Sequence, residues 1–290
     1  MVKLDMHLHS WYSDGRLKPE DLVLKCQEAG LELMALTDHD NTAGIPEALE
    51  AGRRLGVRVI PGVEFAVNDG DGKEQHILGY CFDWQSQALK DLFESWRAIK
   101  AAHLEAMVGK LQGMGFQITL GQVMAQARGT FNRSHIGYAV FAQPENLVLL
   151  RERFAITKVH EFFKTFLKED SPHSVYVPKA RPGIANVLEL VGRLGGISVW
   201  THPFWQNQSA TDVALKAITF KRFGLAGLEV LYSRSFHGED RALVLHRLAQ
   251  NLNLYETAGS DFHSFDMDIY NKIGDFDTFG IELNLPPCFV

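Results

Sequence analysis

The chain has 290 residues, 46% of them hydrophobic and 22% charged, with a formal net charge of −6. These are ordinary globular values that allow a sizeable buried core in one large domain or two modest ones. The acidic balance argues against a surface that holds long duplex nucleic acid mainly through charge, while leaving room for a small anionic substrate at one buried cationic site.

Along the chain, short apolar runs ending in polar residues alternate with helical patterns. The first run is "VKLDMHLHS". A helix follows over about 18–29, with Pro19 near its start, Leu22, Val23 and Cys26 on one side, and Gly30 as its stop. "LELMALTDHD" reads as a second strand, and a helix over about 45–55 ends at Gly56. "VRVIPGVEFAV" and "EQHILGYCFD" read as the third and fourth strands. From about 88 to 170 the pattern is helical throughout, in "ALKDLFESWRAIKAAHLEAMVGKLQGMG", "TLGQVMAQA", "SHIGYAVFAQ" and "TKVHEFFKTFLKED". Strands resume with "GGISVWTHP", "LAGLEVLYS" and "LNLYETAGSDFH". Alternation of this kind implies βα units, a largely parallel sheet and an α/β fold, seven strands being one short of a full barrel. The expected organisation is a discontinuous barrel domain, 1–87 and 171–290, with a small helical domain, 88–170, inserted between the fourth and fifth strands.

No apolar run approaches the ~18 residues that span a bilayer, and the N-terminus lacks the apolar segment of a secretory signal. The expectation is a cytoplasmic protein with no membrane partner. The cysteines are Cys26, Cys81 and Cys288, an odd count without C-x-x-C spacing, so neither a disulfide framework nor a thiolate zinc site is expected.

In "MHLHS", His7 and His9 stand two apart, so on a strand both imidazoles face the same way. Alone this is a weak signal. However, "LTDHD" puts His39 at the end of the second strand, "PGVEF" puts Glu64 at the end of the third, and "EQHIL" puts His76 on the fourth. "WTHPF" supplies His202 after the fifth, "AGSDFH" supplies Asp261 and His263 after the seventh, and Asp14 follows the first. Six of the twelve histidines and three carboxylates thus gather at strand ends, where barrel enzymes build their sites. Mixed nitrogen and oxygen donors without thiolate suit Mn²⁺, Fe²⁺ or Zn²⁺. Nine donors exceed one tetrahedral ion and suit two or three ions with a bridging carboxylate.

With "HLHS" and Asp14, "TDHD", "GVE", His76, "THP" and "GSDFH" in this order, the sequence resembles the polymerase and histidinol phosphatase (PHP) metallophosphoesterases. The resemblance implies a distorted seven-stranded (β/α) barrel holding three divalent ions, with Mn first and Fe or Zn as the other choices. It implies one ion on His7, His9, Glu64 and Asp261, a second on Glu64, His76 and His202, and a third on Asp14, His39 and His263. The helical insertion with "NRSHIG" resembles the group acting on nucleoside 3′,5′-bisphosphates, whose relatives trim short RNA from the 5′ end.

Such a centre could supply a bridging hydroxide to attack phosphorus. Asp38, beside His39, is a candidate to hold a ligand imidazole. Arg133, Ser134 and His135 are candidates for a second phosphate, Ser134 as a helix N-cap and Arg133 as a bidentate donor, with Lys179 a further candidate. Trp11, Tyr12, Phe204 and Trp205 fit either base stacking or loop anchoring. The expected reaction is removal of the 3′-phosphate from a nucleoside 3′,5′-bisphosphate. The alternative is 5′→3′ exonucleolysis of short 5′-phosphorylated RNA. Histidinol phosphate hydrolysis and a non-catalytic nucleotide-binding module rank lower.

Overall fold

Seven apolar segments of the chain are buried along nearly their whole length, as strands covered on both faces must be. In the computed structural model, which describes residues 3–205, 208–234, 237–267 and 270–290, they form one sheet. The order is sequential: β1 (Leu4–Leu8), β2 (Leu33–Leu36), β3 (Arg58–Asn68), β4 (Glu74–Tyr80), β5 (Ile197–Trp200), β6 (Gly227–Leu231) and β7 (Tyr255–Ala258). Leu8 bridges Phe262 in parallel, and the His9 amide donates to the Phe262 carbonyl at 3.0 Å, so the sheet curls into a nearly closed barrel. The expected start of the first strand at Val2 lies outside the described residues.

Four pairings are parallel, as the βα pattern requires, but β4 runs antiparallel to both β3 and β5. The reason is local. No helix separates β3 from β4, and "NDGDGK" closes a hairpin instead. Asn68 Oδ1 accepts from the Gly70 amide at 2.8 Å, and Asp69 Oδ1 accepts from the Asp71 amide at 2.9 Å. Reversal of β4 brings its beginning, not its end, beside the C-terminal halves of its neighbours. His76 pairs with Ala66, and its carbonyl accepts from the Thr201 amide.

The chain divides into two compact units, each with its own core. The barrel unit comprises residues up to Ser10, Gly15–Ser86 and Arg181–Val290. Its helices are α1 (Pro19–Glu28), α2 (Ile45–Leu55), α8 (Ile184–Arg193), α9 (Ala210–Arg222) and α10 (Glu239–Leu252). Helix α1 starts with Pro at its first position and buries Leu22, Val23 and Cys26 among Leu8, Met34 and Leu36.

The second unit is Trp11–Asp14 with Gln87–Ala180. It contains α3 (Gln87–Gly113), α4 (Leu120–Met124), α5 (Ser134–Phe141), α6 (Pro144–Phe154) and α7 (Val159–Phe162), the last continuing into a π-helical turn, Phe163–Leu167. Its core is Leu104, Met107, Leu111, Phe116, Phe162 and Phe166. Phe166 lies edge-on to Phe116 and Phe154, at 5.3 and 4.9 Å. No described helix of the chain is long and apolar enough to cross a membrane.

One expectation is corrected. Cys81, directly after β4, forms a disulfide with Cys288 in the 3₁₀ turn Pro287–Phe289. Spacing rules look for cysteines that are close in sequence, and these are 207 residues apart. The fold brings them together. The Arg58 guanidinium donates to the carbonyls of Cys288 and Phe289 at 2.8 and 3.1 Å, and the Phe289 ring meets Tyr80 edge-on at 5.1 Å. Cys26 remains a buried thiol, and burial pushes it above the ordinary thiol range.

Closing so long a loop lowers the entropy of the unfolded chain by as much as about 5 kcal/mol. Cys288→Ser is therefore expected to lower stability by several kcal/mol in urea unfolding under oxidising conditions. Thiol titration of the denatured wild type should find one free thiol before reduction and three after.

Candidate metal centre

Glu64 lies in the middle of β3, 1% exposed, and faces five imidazoles. Its Oε2 lies 3.2 Å from His7 Nε2, 3.2 Å from His9 Nε2 and 3.1 Å from His39 Nδ1. Its Oε1 lies 2.7 Å from His76 Nδ1 and 3.1 Å from His202 Nε2. Asp261 Oδ1 joins from the other side, 3.3 Å from His7 Nε2 and 3.1 Å from His9 Nε2. The rings stack: His9 on His39 at 4.6 Å and on His263 at 4.3 Å. Of the nine candidate donors, the barrel unit thus gathers His7, His9, His39, Glu64, His76, His202, Asp261 and His263.

Each arrives by a local device. His7 lies on β1 and His9 directly after its end, two residues on and so on the same face. His39 bridges Glu64 in parallel, and the Asp40 amide donates to the Glu64 carbonyl at 2.9 Å. Asp38 accepts from both the amide and the hydroxyl of Ser10, at 2.8 and 2.6 Å, and so anchors the chain just after His9. Gly15 returns its amide to the Ser10 carbonyl at 3.0 Å. In the second unit, Asp14 Oδ2 accepts from the Ser134 hydroxyl at 2.9 Å. Ser134 therefore uses its hydroxyl on Asp14 and is not the N-cap, a position that Arg133 occupies without a side-chain bond. The Arg133 guanidinium lies over the rings of Phe163 and Tyr176, at 5.5 and 5.6 Å. His135 is buried, and its Nδ1 accepts from the Asn132 amide at 3.1 Å, which fixes the turn before α5. Lys179 is half-buried in the coil that closes this unit.

The electrostatics fit divalent cations. Burial works against the charged forms of His7, His9, His76, Glu64 and Asp261, yet these imidazoles and carboxylates overcome it in each other's favour. Asp261, Glu64 and Glu229 hold His7 well above the ordinary imidazole range. Burial lowers His9, but hydrogen bonds to Asp261 and Glu64 outweigh it and push it up to about 10. Glu64 in turn pushes His76 up to about 9. Burial would raise Glu64 and Asp261, but the surrounding imidazoles hold both carboxyls well below the usual range. A cluster that draws protons onto its histidines is short of positive charge. Its donors are imidazole nitrogen and carboxylate oxygen, the ligand types of Mn, Fe and Zn sites. The donor atoms of His7, His9, Glu64 and Asp261 lie within 4.8 Å of one another, and so do those of His39, Glu64 and His76.

The sequence matches the PHP domain over residues 5–225. The chain belongs to the PHP family of metal-dependent phosphoesterases. It is 31% identical over 261 residues to a 5′-3′ exoribonuclease of Haemophilus influenzae, spanning 90% of each chain. It is 28% identical over 264 residues to a 3′,5′-nucleoside bisphosphate phosphatase of Chromobacterium violaceum, spanning 91% of this chain and 88% of that one. A solved structure from Bifidobacterium adolescentis, assigned as a metal-dependent phosphoesterase, superposes with a TM-score of 0.80 at 27% identity over 95% of this chain and 92% of its own. In this PHP barrel the sequence pattern overlooked several residues that build the centre. Glu229 of β6 touches His7, and the Tyr232 hydroxyl donates to Asp261 Oδ2 at 2.7 Å. Asp5 accepts from the amide and hydroxyl of Ser260, next to Asp261. An acid inside an apolar strand was the available signal.

Gly259 makes room for this packing. A Cβ there would lie 2.3 Å from His7 Cβ and 2.7 Å from Glu229 Oε1. Gly259→Ala is expected to cost about 1–3 kcal/mol in urea unfolding, the range for overpacking. Gly192→Ala, inside α8 with open space around its Cβ, should be neutral or stabilising.

Proposed function

We propose that this chain removes the 3′-phosphate from nucleoside 3′,5′-bisphosphates, giving the 5′-monophosphate and phosphate. The observation that carries the reading is Glu64 with its five imidazoles and Asp261 beside them, a donor set suited to several divalent ions. The Chromobacterium violaceum relative's name supports the substrate class. His7, His9, Glu64 and Asp261 would hold one ion and Glu64, His76 and His202 a second, with His39 and His263 left as donors for a further ion. Manganese is the first choice, with iron or zinc next. Ions held there supply Lewis acidity toward phosphoryl oxygens and a water that ionises near neutral pH.

The protein's own residues do the rest. Glu64 and Asp261 spread negative charge through the centre, so that more than one cation can share it. Tyr232 and Asp38 hold Asp261 and the chain after His9 in place, which keeps the donors preorganised. Arg133, propped on two aromatic faces, offers a planar fork to the phosphate that is retained. Ser134, His135 and Lys179 are the other groups assigned to it.

A second reading is 5′→3′ exonucleolysis of short 5′-phosphorylated RNA, favoured by the Haemophilus influenzae relative. The same donors would serve a diester, and Arg133 would take the 5′-phosphate.

Phosphate release from adenosine 3′,5′-bisphosphate with Mn²⁺ tests the first reading. The expected result is turnover that a chelator abolishes and that His9→Ala lacks; release no greater than that of His9→Ala overturns it. Higher kcat/KM on a short 5′-phosphorylated RNA than on the bisphosphate would instead favour the second. Arg133→Met is expected to raise KM for the bisphosphate roughly 10–100-fold with kcat little changed, the loss of a charged hydrogen-bonding group that binds ground and transition states alike.

A further inference from the structure

Glu229 is the only charged residue of β6, and it is 0% exposed. Burying a carboxylate is costly unless donors surround it. Here there are three. Oε1 lies 3.1 Å from His7 Nδ1, while Oε2 accepts from the Thr201 hydroxyl at 2.5 Å and from the His202 amide at 2.8 Å. The Thr201 hydroxyl is also 3.1 Å from His7 Nδ1.

Glu229 Oε1 serves as an acceptor for His7 when the Nδ1 of that ring carries the proton. A neutral imidazole carries only one N–H. When His7 binds an ion as a neutral imidazole, its lone pair is then on Nε2, the nitrogen that faces Glu64 and Asp261. The other oxygen acts on a second histidine. His202 has φ +33°, a left-handed conformation that non-glycine residues avoid. Glu229 holds the amide of that residue, and the His202 ring delivers Nε2 to Glu64 Oε1.

We propose that Glu229 is a positioning residue: it selects the His7 tautomer that offers the Nε2 lone pair to an ion, and it pins the His202 backbone so that this ring holds Nε2 beside Glu64. The proposal rests on the reading of His7 and His202 as metal ligands. Glu229 itself touches no ion and no substrate in this assignment. Its effect runs through ring orientation and tautomer, as carboxylate–histidine pairs act at other metal sites.

Glu229→Gln is the discriminating substitution, because the amide has the same shape but only one acceptor oxygen. Turned toward His7, its NH₂ needs Nδ1 as an acceptor and drives the His7 proton to Nε2. Turned the other way, it faces the His202 amide with a donor. Either way one ligand histidine is misplaced.

The experiment is calorimetric titration of the metal-free wild type and Glu229→Gln proteins with Mn²⁺, with folding compared by circular dichroism. The expected result is an affinity roughly 10–100-fold weaker in the variant at unchanged secondary structure. Equal affinities overturn the proposal alone. A wild type that takes up no divalent ion overturns the ligand reading and the proposal with it. A second measurement needs no variant. In the Zn²⁺-loaded wild type, ¹⁵N NMR of the ring nitrogens should find the His7 proton on Nδ1; a proton on Nε2 overturns the proposal.

Discussion

One buried carboxylate facing five imidazoles is the constraint on which the barrel's upper rim depends. Glu64 can meet His7, His9, His39, His76 and His202 only if four separate chain segments converge on it. Three of them come from strands that run in the same direction as β3 and deliver their donors at or near their C-terminal ends. The fourth cannot. His76 is the third residue of a seven-residue strand. Were β4 parallel, its ring would sit several residues short of the rim, at about 3.3 Å per residue. The antiparallel hairpin at Asn68–Lys73 removes that gap. The departure from regular βα alternation is thus part of how the centre is assembled.

The same convergence puts strain into the backbone. His202, Asp261 and Asp40 all have left-handed φ values, +33°, +56° and +44°. Such residues cost roughly 1–3 kcal/mol each and persist where surrounding contacts overdetermine them. All three are tied back to the cluster. The His202 amide donates to Glu229, the Asp261 carboxylate accepts from Tyr232, and the Asp40 amide donates to the Glu64 carbonyl. The first two of these bonds go to carboxylates, and hydrogen bonds to charged groups contribute about 1.5–3 kcal/mol, enough to offset strain of that size. The donors are therefore held in place before any ion arrives.

The strands, the helical stretch and the gathering of the candidate donors at strand ends of the barrel unit were legible because each rests on a local rule. The two-residue period of β1, carried one residue past its end, puts His7 and His9 on one face, and apolar runs mark the buried strands. What depended on distant partners was not legible. The Cys81–Cys288 bond needs the C-terminal turn to be carried to Arg58 and Tyr80, and no spacing rule reports that. "NRSHIG" showed a polar helix start but not that the Ser134 hydroxyl belongs to Asp14, nor that His135 secures the Asn132 turn. The surroundings of Arg133 come from Phe163 and Tyr176, residues 30 and 43 positions further along the chain, which no local rule places beside it.

Glu229 and Asp5 show where a sequence reading could have gone further. "GLEVL" and "LDMHL" each carry one acid in an otherwise apolar strand, apart from His7 in the second. A charge in such a place is tolerated only with several donors around it, so a lone acid in a buried strand predicts a dense hydrogen-bond hub. Both are hubs. Asp5 gathers the Ser260 amide and hydroxyl and the Gly274 amide, which ties β1 to the loop that carries Asp261. Glu229 gathers Thr201, His202 and His7, which ties β1 to β5. The two acids therefore brace the segments between which His7 and His9 must reach Glu64. The rule separates them from surface acids such as Glu28 or Glu50, whose ion pairs are exposed and need no such company.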